Sequence, residues 1–372
     1  MTQATNVKER LAAITTIGTS IWLDQIQRSL VESGELARMV QEDSLRGLTS
    51  NPAIFEKAIL GSPDYDAQID ELSRTGTTAR DLYLAIATQD VQDACDVLRV
   101  VYDDTDHYDG FASFEVDPDL AQDTDKTLAQ AREYWGRVDR PNLMIKIPGT
   151  EACLPAIEEA LYEGININIT LLFSVEAYRK VTDAYISAMQ RRHAEGQSLD
   201  IHSVASFFVS RVDTEVDKRL EAVGNTELAG KAGIANAQAA YQLFKEVFHG
   251  PRFEPLLSAG VPVQRPLWAS TGTKNPAYPD TLYVDGLLAP ETVNTMPLAT
   301  LEAAADHAHI DHEHPATADH DPTETLSALA EAGIDMDDVT DTLLREGITA
   351  FETPMNKLLE ALETKRAEIA GA

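Results

Sequence analysis

The chain has 372 residues, of which 44% are hydrophobic, and its 61 acidic and 30 basic residues give a formal net charge of −31. This acidic excess argues against nonspecific binding to nucleic acid or to an anionic membrane surface, although a few local cations can still hold an anionic substrate. Two cysteines without CxxC spacing, the lack of an apolar stretch that could span a membrane, and a charged N-terminus together predict a cytoplasmic protein.

Eight short apolar runs follow one another along the chain, and each reads as a buried strand. In chain order they are residues 20–24, 45–52, 110–116, 142–149, 164–170, 201–211, 265–271 and 281–288. Helical periodicity lies between most of them, as in residues 151–163, 174–195 and 211–224. Strands that alternate with helices predict a parallel sheet, and eight of them favour a closed (β/α)8 TIM barrel over an open doubly wound sheet.

Two parts of the chain depart from this alternation. The segment between the second and third runs is long enough for several helices, and residues 305–325 are predicted to be an acidic, histidine-rich loop. Residues 326–368 are predicted to be extra C-terminal helices, so that 1–372 form a single barrel domain. Histidine and aspartate are metal ligands, but this loop lacks a regular ligand spacing, and no metal site is predicted.

The fourth run, NLMIKIPG at residues 142–149, contains a single lysine among apolar residues. Lysine is seldom buried without a partner, so one interpretation is that Lys146 lies at the strand end and reaches water. The other interpretation is that apolar surroundings favour loss of the proton from the amine, which then attacks a carbonyl carbon. The local sequence leaves both interpretations open.

The other strand ends favour the reactive lysine, because chemistry in this fold takes place at the C-terminal ends of the strands. Nearly every predicted strand ends in a group that can titrate or form hydrogen bonds. These groups are Asp24, Thr49, Ser50, Asn51, Glu115, Lys146, Asn168, Thr170, Ser206, Arg211 and Ser270. Several such groups are expected to converge at one end of a barrel.

Three of these groups match the needs of carbon–carbon bond cleavage through an iminium ion. A lysine forms the iminium with a ketone, one carboxyl group shuttles protons, and a second carboxylate takes the hydroxyl proton as the bond breaks. Lys146, Glu115 and Asp24 supply these three types. Asn51 and Asn168 carry both donors and acceptors and can hold sugar hydroxyls.

Three longer stretches make the prediction more specific. They are GLTSNPAIFEKAI (47–59), NLMIKIPGTEACLPAIEEALYEGININITLLFS (142–174) and SVASFFVSRVD (203–213). They resemble transaldolases, specifically the longer bacterial type, within the class I Schiff-base aldolase superfamily. The resemblance implies a barrel enzyme that needs no cofactor. It also implies transfer of a dihydroxyacetone unit from sedoheptulose 7-phosphate to glyceraldehyde 3-phosphate in the pentose phosphate pathway, which gives erythrose 4-phosphate and fructose 6-phosphate.

By position, the resemblance puts the Schiff base on Lys146 and the base at the cleaving hydroxyl on Asp24. It puts the proton shuttle on Glu115, through a water molecule that Thr170 positions. The implied substrate-binding residues are Asn51, Asn168 and Ser206 at sugar hydroxyls, Phe208 in the lining, Arg211 at the phosphate, and Ser270.

The sequence departs from shorter members of that family after the seventh run. Those members carry a second phosphate-binding arginine just after the serine, whereas this chain reads Thr271-Gly272-Thr273-Lys274. We infer that Lys274 supplies the second cation.

Simpler structural roles remain open for several of these residues. Asp24 and Thr170 are also suited to capping the helices that follow them, and Asn51 before Pro52 to a turn. Phe208 also fits the hydrophobic core, and Arg211 also fits a surface ion pair with Asp213 or Glu215.

Two other functions also remain open. One is a Schiff-base aldolase that releases the three-carbon unit to water or cleaves a different sugar phosphate. The other is a noncatalytic acidic barrel that binds a metal or a partner through residues 306–324.

Overall fold

The computed structural model describes residues 7–311, 317 and 320–370. Eight parallel strands form a closed barrel in chain order. They are β1 Thr19–Leu23, β2 Leu45–Thr49, β3 Phe111–Glu115, β4 Leu143–Pro148, β5 Ile167–Leu172, β6 Ser203–Phe208, β7 Arg265–Ala269 and β8 Thr292–Met296. Because β8 also pairs with β1, the sheet has no free edge, and the predicted (β/α)8 barrel is confirmed.

Helices connect the strands and surround the barrel. They are α1 Val7–Ile17, α2 Arg28–Glu32, α3 Glu35–Glu42, α4 Pro52–Gly61, α5 Asp66–Arg74, α6 Ala79–Asp104, α7 Thr124–Val138, α8 Leu154–Glu163, α9 Val175–Ala194, α10 Ser210–Ala222, α11 Ala232–Phe248, α12 Glu254–Ser258, α13 Leu282–Asp285, α14 Leu298–His307, α15 Thr323–Glu331 and α16 Met336–Ala370. Short 3-10 helices lie at Pro63–Tyr65 and Pro118–Leu120. None of the helices that the structure describes is long and apolar enough to span a membrane.

Most of the predicted helices are confirmed. The segments 151–163, 174–195 and 211–224 contain α8, α9 and α10, and the long connection between β2 and β3 contains α4, α5 and α6. The predicted terminal helices are present as α15 and α16. Of the predicted loop at 305–325, residues 312–316 and 318–319 lie outside the described residues, and α14 extends into its beginning.

The eighth predicted strand is wrong. Residues 281–288 contain the short helix α13, in which Tyr283 is buried and its hydroxyl donates to Asp213 Oδ2 at 2.8 Å. A short apolar run does not by itself distinguish a buried strand from a buried helical turn. The true β8 has the more polar sequence TVNTM, and its Thr295 hydroxyl lies 2.7 Å from the Thr49 hydroxyl of β2.

Strand alternation explains the lysine inside the apolar run of β4. Successive side chains of a strand point to opposite faces. Leu143, Ile145 and Ile147 belong to the main hydrophobic core, which lies between the strands and the helices. Met144 and Lys146 therefore point into the barrel, and Lys146 lies nearer its C-terminal end, which we call the mouth.

The opposite end of the barrel interior, which we call the base, is filled mainly by apolar side chains. One buried cluster contains Trp22, Phe111, Met144, Val204, Leu267 and Val293, which come from six different strands. Gly47 makes room for the indole of Trp22, because a Cβ at this position would lie 2.5 Å from the ring. β2 therefore packs closely against Trp22.

A buried ion pair also lies at the base. Arg265 on β7 donates to Asp109 Oδ1 at 2.9 Å and to Ser20 Oγ at 2.8 Å, and Ser20 donates to Asp109 Oδ2 at 2.6 Å. Trp22 Nε1 donates to the same carboxylate at 3.2 Å. These contacts connect β1, β7 and the loop before β3.

Helix α16 lies at the mouth. It packs against α4 and α5, which follow β2, and against α10, which follows β6. It therefore reaches from one side of the barrel mouth to the other. Its Phe351 is 4% exposed.

Replacing Arg265 by methionine should lower the free energy of unfolding by about 3–5 kcal/mol, because the Asp109 carboxylate would stay buried without its partner. Urea unfolding followed by tryptophan fluorescence measures this loss. The matched control is Arg140→Met, which breaks the exposed pair with Asp96 and should cost at most about 1 kcal/mol. A double variant, Arg265→Met with Asp109→Leu, should recover part of the loss; equal losses in the single variant and the control would contradict the prediction.

Candidate active site

Three polar residues stand side by side within the barrel because of strand register. Glu115 on β3 pairs in register with Lys146 on β4, and Lys146 pairs with Asn168 on β5. Residues in register on neighbouring strands point to the same face, so all three side chains point inward. Lys146 Nζ lies 3.1 Å from Glu115 Oε2.

Lys146 is buried, with 4% of its surface exposed, so the interpretation that it reaches water is wrong. Its Nζ also donates to the carbonyl oxygen of Ser50 at 3.1 Å. The ring of Phe351 lies 5.6 Å from the same nitrogen. The amine therefore has one carboxylate, one carbonyl and one aromatic ring as neighbours.

Glu115 has oxygen atoms that remain available for chemistry. Burial raises its pKa from 4.5 to about 7, although the charge of Lys146 partly opposes this shift. Glu115 Oε2 contacts the Lys146 amine, whereas Glu115 Oε1 and the buried Thr170 hydroxyl have no hydrogen-bond partner among the described residues. Buried polar atoms are usually paired, so these two atoms can bind a water molecule or a substrate. Ser174 caps α9 by accepting from Ala177 N, so Thr170 is not the cap of that helix.

Asp24 directly follows β1 and contacts β2. Its Oδ1 accepts a hydrogen bond from the Thr49 hydroxyl at 2.7 Å. Burial raises the pKa of Asp24, and the charge of Lys146 is the largest opposing influence. Helix α2 begins at Arg28 with Gln27 at its N-cap, so the alternative that Asp24 caps the following helix is wrong.

The predicted hydroxyl-binding residues are held by hydrogen bonds to one another and to the backbone. Ser206 Oγ donates to Asn168 Oδ1 at 2.6 Å, and Asn168 Nδ2 donates to Ser113 Oγ at 3.0 Å. Asn51 Oδ1 accepts from Ile54 N at 3.0 Å and so caps α4. Asn51 is therefore a helix N-cap and not the turn residue considered from the sequence, and it also lines the cavity at the mouth.

The side chains meet at a cavity of about 140 Å³ at the mouth. It is lined by Asp24, Thr49, Asn51, Lys146, Ser206, Phe208, Arg211, Ala269, Ser270, Lys274, Thr295, Pro297 and Phe351. Nine of these were named from the sequence; Glu115, Asn168 and Thr170 are buried on the neighbouring strands β3 and β5.

Four lining residues were not named from the sequence: Ala269, Thr295, Pro297 and Phe351. Thr295 was missed because β8 was misplaced. Phe351 was missed because an aromatic residue in a terminal helix carries no signal for an active site.

The cationic side of the cavity is formed by Arg211 and Lys274. The guanidinium carbon of Arg211 lies 5.2 Å from the ring centroid of Phe208 and 5.8 Å from that of Phe351. Burial lowers the pKa of Arg211, and the charge of Asp24 is the largest opposing influence. Arginine nevertheless stays protonated in proteins.

The surface ion pair considered for Arg211 involves residues that have other partners. Glu215 pairs with Lys218 and Arg219, and Asp213 accepts from Tyr283 and from the amide of Gly233.

Ser270 adopts an unusual backbone conformation at the edge of the cavity. Its φ is +57°, in the left-handed region that residues other than glycine seldom adopt. Its hydroxyl lies 2.8 Å from the hydroxyl of Ser210, the first residue of α10. Such strain is typical of functional sites, where the surrounding structure holds it in place.

Residues 21–362 match the family described as Transaldolase/Fructose-6-phosphate aldolase. The chain belongs to this family. It is 50% identical over 357 residues to a protein named Transaldolase from Mycolicibacterium smegmatis, with 95% of this chain and 96% of that protein covered. Proteins of the same name from Saccharopolyspora erythraea and Mycobacterium tuberculosis are 49% identical over 354 residues and 50% identical over 355 residues. These matches cover 95% and 94% of this chain, and 96% and 95% of the two relatives.

The raised pKa of Glu115 predicts a specific pH dependence in this family member. The folded state binds more protons than the unfolded state between pH 4.5 and about 7, so the free energy of unfolding should fall as pH rises through this range. The total fall attributable to Glu115 should be about 3 kcal/mol.

Glu115→Gln removes this titration and keeps the shape of the side chain. As pH rises, the wild type should therefore lose stability relative to the variant. Urea unfolding of both proteins from pH 5 to 8 measures this difference in unfolding free energy. A difference that does not change with pH would contradict the assignment.

Proposed function

We infer that this protein is a transaldolase, a transferase of the pentose phosphate pathway that forms a lysine Schiff base. It moves a dihydroxyacetone unit from sedoheptulose 7-phosphate to glyceraldehyde 3-phosphate, giving erythrose 4-phosphate and fructose 6-phosphate. The observation that carries this inference is the buried Lys146 amine, 3.1 Å from Glu115, at a cavity that Asp24 also lines. The named relatives, about half identical over nearly the whole chain, support the same reaction.

In the first step, the amine of Lys146 attacks the C2 carbonyl of the donor sugar. Glu115 can take a proton from the amine and return one to the carbinolamine hydroxyl, which then leaves as water. A pKa of about 7 suits both directions of transfer near neutral pH. The unpaired hydroxyl of Thr170 supports its role in positioning the water molecule through which Glu115 acts.

In the second step, the iminium draws electrons from the bond between C3 and C4. Asp24 accepts the C4 hydroxyl proton as this bond breaks, and the enamine remains on Lys146. Burial raises the pKa of Asp24 and thereby makes its carboxylate a stronger base. The hydrogen bond from Thr49 holds this carboxylate in place. The enamine then attacks the acceptor aldehyde, and the steps run in reverse.

The donor sugar is bound by residues around Lys146, Glu115 and Asp24. Asn51, Asn168 and Ser206 bind the hydroxyl groups of the donor, with Ser206 and Asn168 oriented by their mutual hydrogen bond.

Phe208 and Phe351 form the apolar wall between Lys146 and Arg211. Ser270 lies at the edge of the site.

Since α16 supplies Phe351, we propose that residues 1–372 act as one domain. We also propose a cytoplasmic location, which the buried free thiols of Cys95 and Cys153 support.

The other functions are distinguished by two experiments. A Schiff-base aldolase would turn over fructose 6-phosphate without an acceptor, whereas a transaldolase requires an acceptor aldehyde such as erythrose 4-phosphate. A noncatalytic barrel that works through residues 306–324 would show no turnover, and deletion of that segment would remove its metal or partner.

Borohydride should trap a dihydroxyacetone-derived adduct, or the intact sugar, on Lys146 after incubation with fructose 6-phosphate, and peptide mass spectrometry locates it. Lys146→Arg should form no adduct, because arginine stays protonated. Asp24→Asn should still be trapped, while its turnover falls by about 10²–10⁴-fold, the usual cost of losing a general base. An adduct on another lysine would overturn the mechanism, and equal loss of trapping and turnover in Asp24→Asn would place Asp24 at an earlier step.

Arg211 and Lys274 are proposed to bind the phosphate group at the N-terminal end of α10, where backbone amides add favourable donors. A hydrogen bond to a charged group contributes about 1.5–3 kcal/mol, so Arg211→Ala should raise KM for fructose 6-phosphate about 10–100-fold. Lys274→Ala should act in the same direction but more mildly. Activity on unphosphorylated fructose should stay nearly unchanged in both variants.

The matched control for these variants is Lys218→Ala, which removes a cation from the exposed side of the same helix. Its KM for the phosphorylated sugar should equal that of the wild type. If the Arg211 and Lys274 variants lose phosphorylated and unphosphorylated substrates alike, the phosphate site lies elsewhere.

A further inference from the structure

A second cluster of reactive side chains lies at the base of the barrel, away from the mouth. It consists of His107 in the loop before β3, and Asp200 and His202 in the loop before β6; we call it the base cluster. His107 Nδ1 lies 2.7 Å from Asp200 Oδ2, and His202 Nε2 lies 2.8 Å from Asp200 Oδ1. The three candidate ligand atoms all lie within 4.8 Å of one another.

Both imidazole rings of the base cluster are held in position by aromatic neighbours. The ring of His107 stacks on Tyr102 at 4.1 Å with an interplanar angle of 10°. The ring of His202 lies 5.2 Å from the ring of Phe111. The two rings are therefore oriented before any ligand arrives.

The backbone around His107 is unusual as well. Asp106 and His107 have φ angles of +51° and +68°, so two consecutive residues other than glycine adopt the left-handed region. This conformation costs free energy and persists only where the surroundings impose it. Here it turns the chain so that His107 meets Asp200, 93 residues further along the sequence.

We propose that His107, Asp200 and His202 bind one divalent transition-metal ion of the zinc type. Two imidazole nitrogens and one carboxylate oxygen are ligands that zinc accepts, whereas calcium and magnesium prefer oxygen ligands alone. Asp200 and His107 are exposed on one side, which leaves room for water to complete the coordination.

Metal binding requires a small rearrangement of the cluster. Ring nitrogens that now face Asp200 must offer lone pairs, so any proton they carry moves to the opposite ring nitrogen or to water. Zinc ligands lie about 2.0–2.2 Å from the metal, so the two rings must approach each other slightly. Since both are in loops, this shift leaves the strands in place.

The position of the base cluster points to a structural role. It links the loop before β3 to the loop before β6, next to the base ion pair of Arg265 and Asp109. In this fold, chemistry takes place at the mouth, whereas residues at the base contribute to stability. A bound ion would therefore stabilise the folded state, by an amount that grows with the logarithm of its concentration above Kd. This inference is independent of the proposed transaldolase activity.

The test uses the full chain, freed of metal by a chelator and titrated with zinc chloride by isothermal titration calorimetry. His107→Ala and His202→Ala should each weaken zinc binding at the base cluster at least about tenfold. Removal of a residue that only hydrogen-bonds to a metal ligand can already weaken binding by this factor. Asp200→Asn keeps the shape and a hydrogen-bond acceptor, and should weaken the same site. Zinc should also raise the Tm of the wild type more than that of each variant.

His307→Ala and His309→Ala are the matched controls, because they remove histidines at the beginning of the histidine-rich segment, where side chains of the same ligand types are frequent in the sequence. Both should retain the site that the base-cluster variants weaken. Circular dichroism checks that every variant is folded. Equal zinc affinity and stoichiometry in the wild type and the three base-cluster variants would overturn the proposal, and so would loss of zinc binding in the control variants alone.

Discussion

Burial of the Lys146 amine against the Glu115 carboxylate is the constraint on which the rest of the active site depends. Removing two charged groups from water is costly, and their attraction offsets that cost only when the geometry is favourable. The barrel provides this geometry through strand register, since Glu115 and Lys146 are paired across β3 and β4. The carbonyl of Ser50 takes a further hydrogen bond from the amine. The site is thus built on strands, which hold side chains more firmly than loops do.

The buried carboxylates at the base and near the mouth of the barrel differ in how fully their oxygen atoms are hydrogen-bonded. At the base, the Asp109 carboxylate accepts hydrogen bonds from Arg265, Ser20 and Trp22, and the surrounding interior is apolar. Near the mouth, Glu115 Oε1 and the Thr170 hydroxyl lack hydrogen-bond partners among the described residues, whereas Glu115 Oε2 contacts the Lys146 amine. A fully paired network stabilises the fold, whereas unpaired groups are available to a substrate. The Asp109 network is therefore suited to stability, and the two unpaired atoms near the mouth are suited to chemistry.

Local arrangement outweighs the net charge of the chain at this site. The protein carries a formal charge of −31, yet its cavity gathers the cations Lys146, Arg211 and Lys274. The rings of Phe208 and Phe351 flank the Arg211 guanidinium and help to hold it in the cavity. A cation held by aromatic rings keeps N–H donors for a phosphate group. Such a cavity can bind an anionic sugar phosphate even though the protein as a whole repels anions.

The sequence by itself determined the barrel and most of the polar residues that line its candidate active site. The barrel could be predicted because alternating strands and helices are local patterns in the sequence. The C-terminal ends of parallel strands converge whatever their side chains are, so Asp24, Lys146 and Arg211 could be assigned to one site. The tertiary structure alone decided where β8 lies, because its polar threonines are satisfied by hydrogen bonds to other strands, such as that with Thr49. It alone brought Phe351 to Lys146 and His107 to Asp200, since contacts between residues distant in sequence arise from packing and leave no periodic signal in the chain.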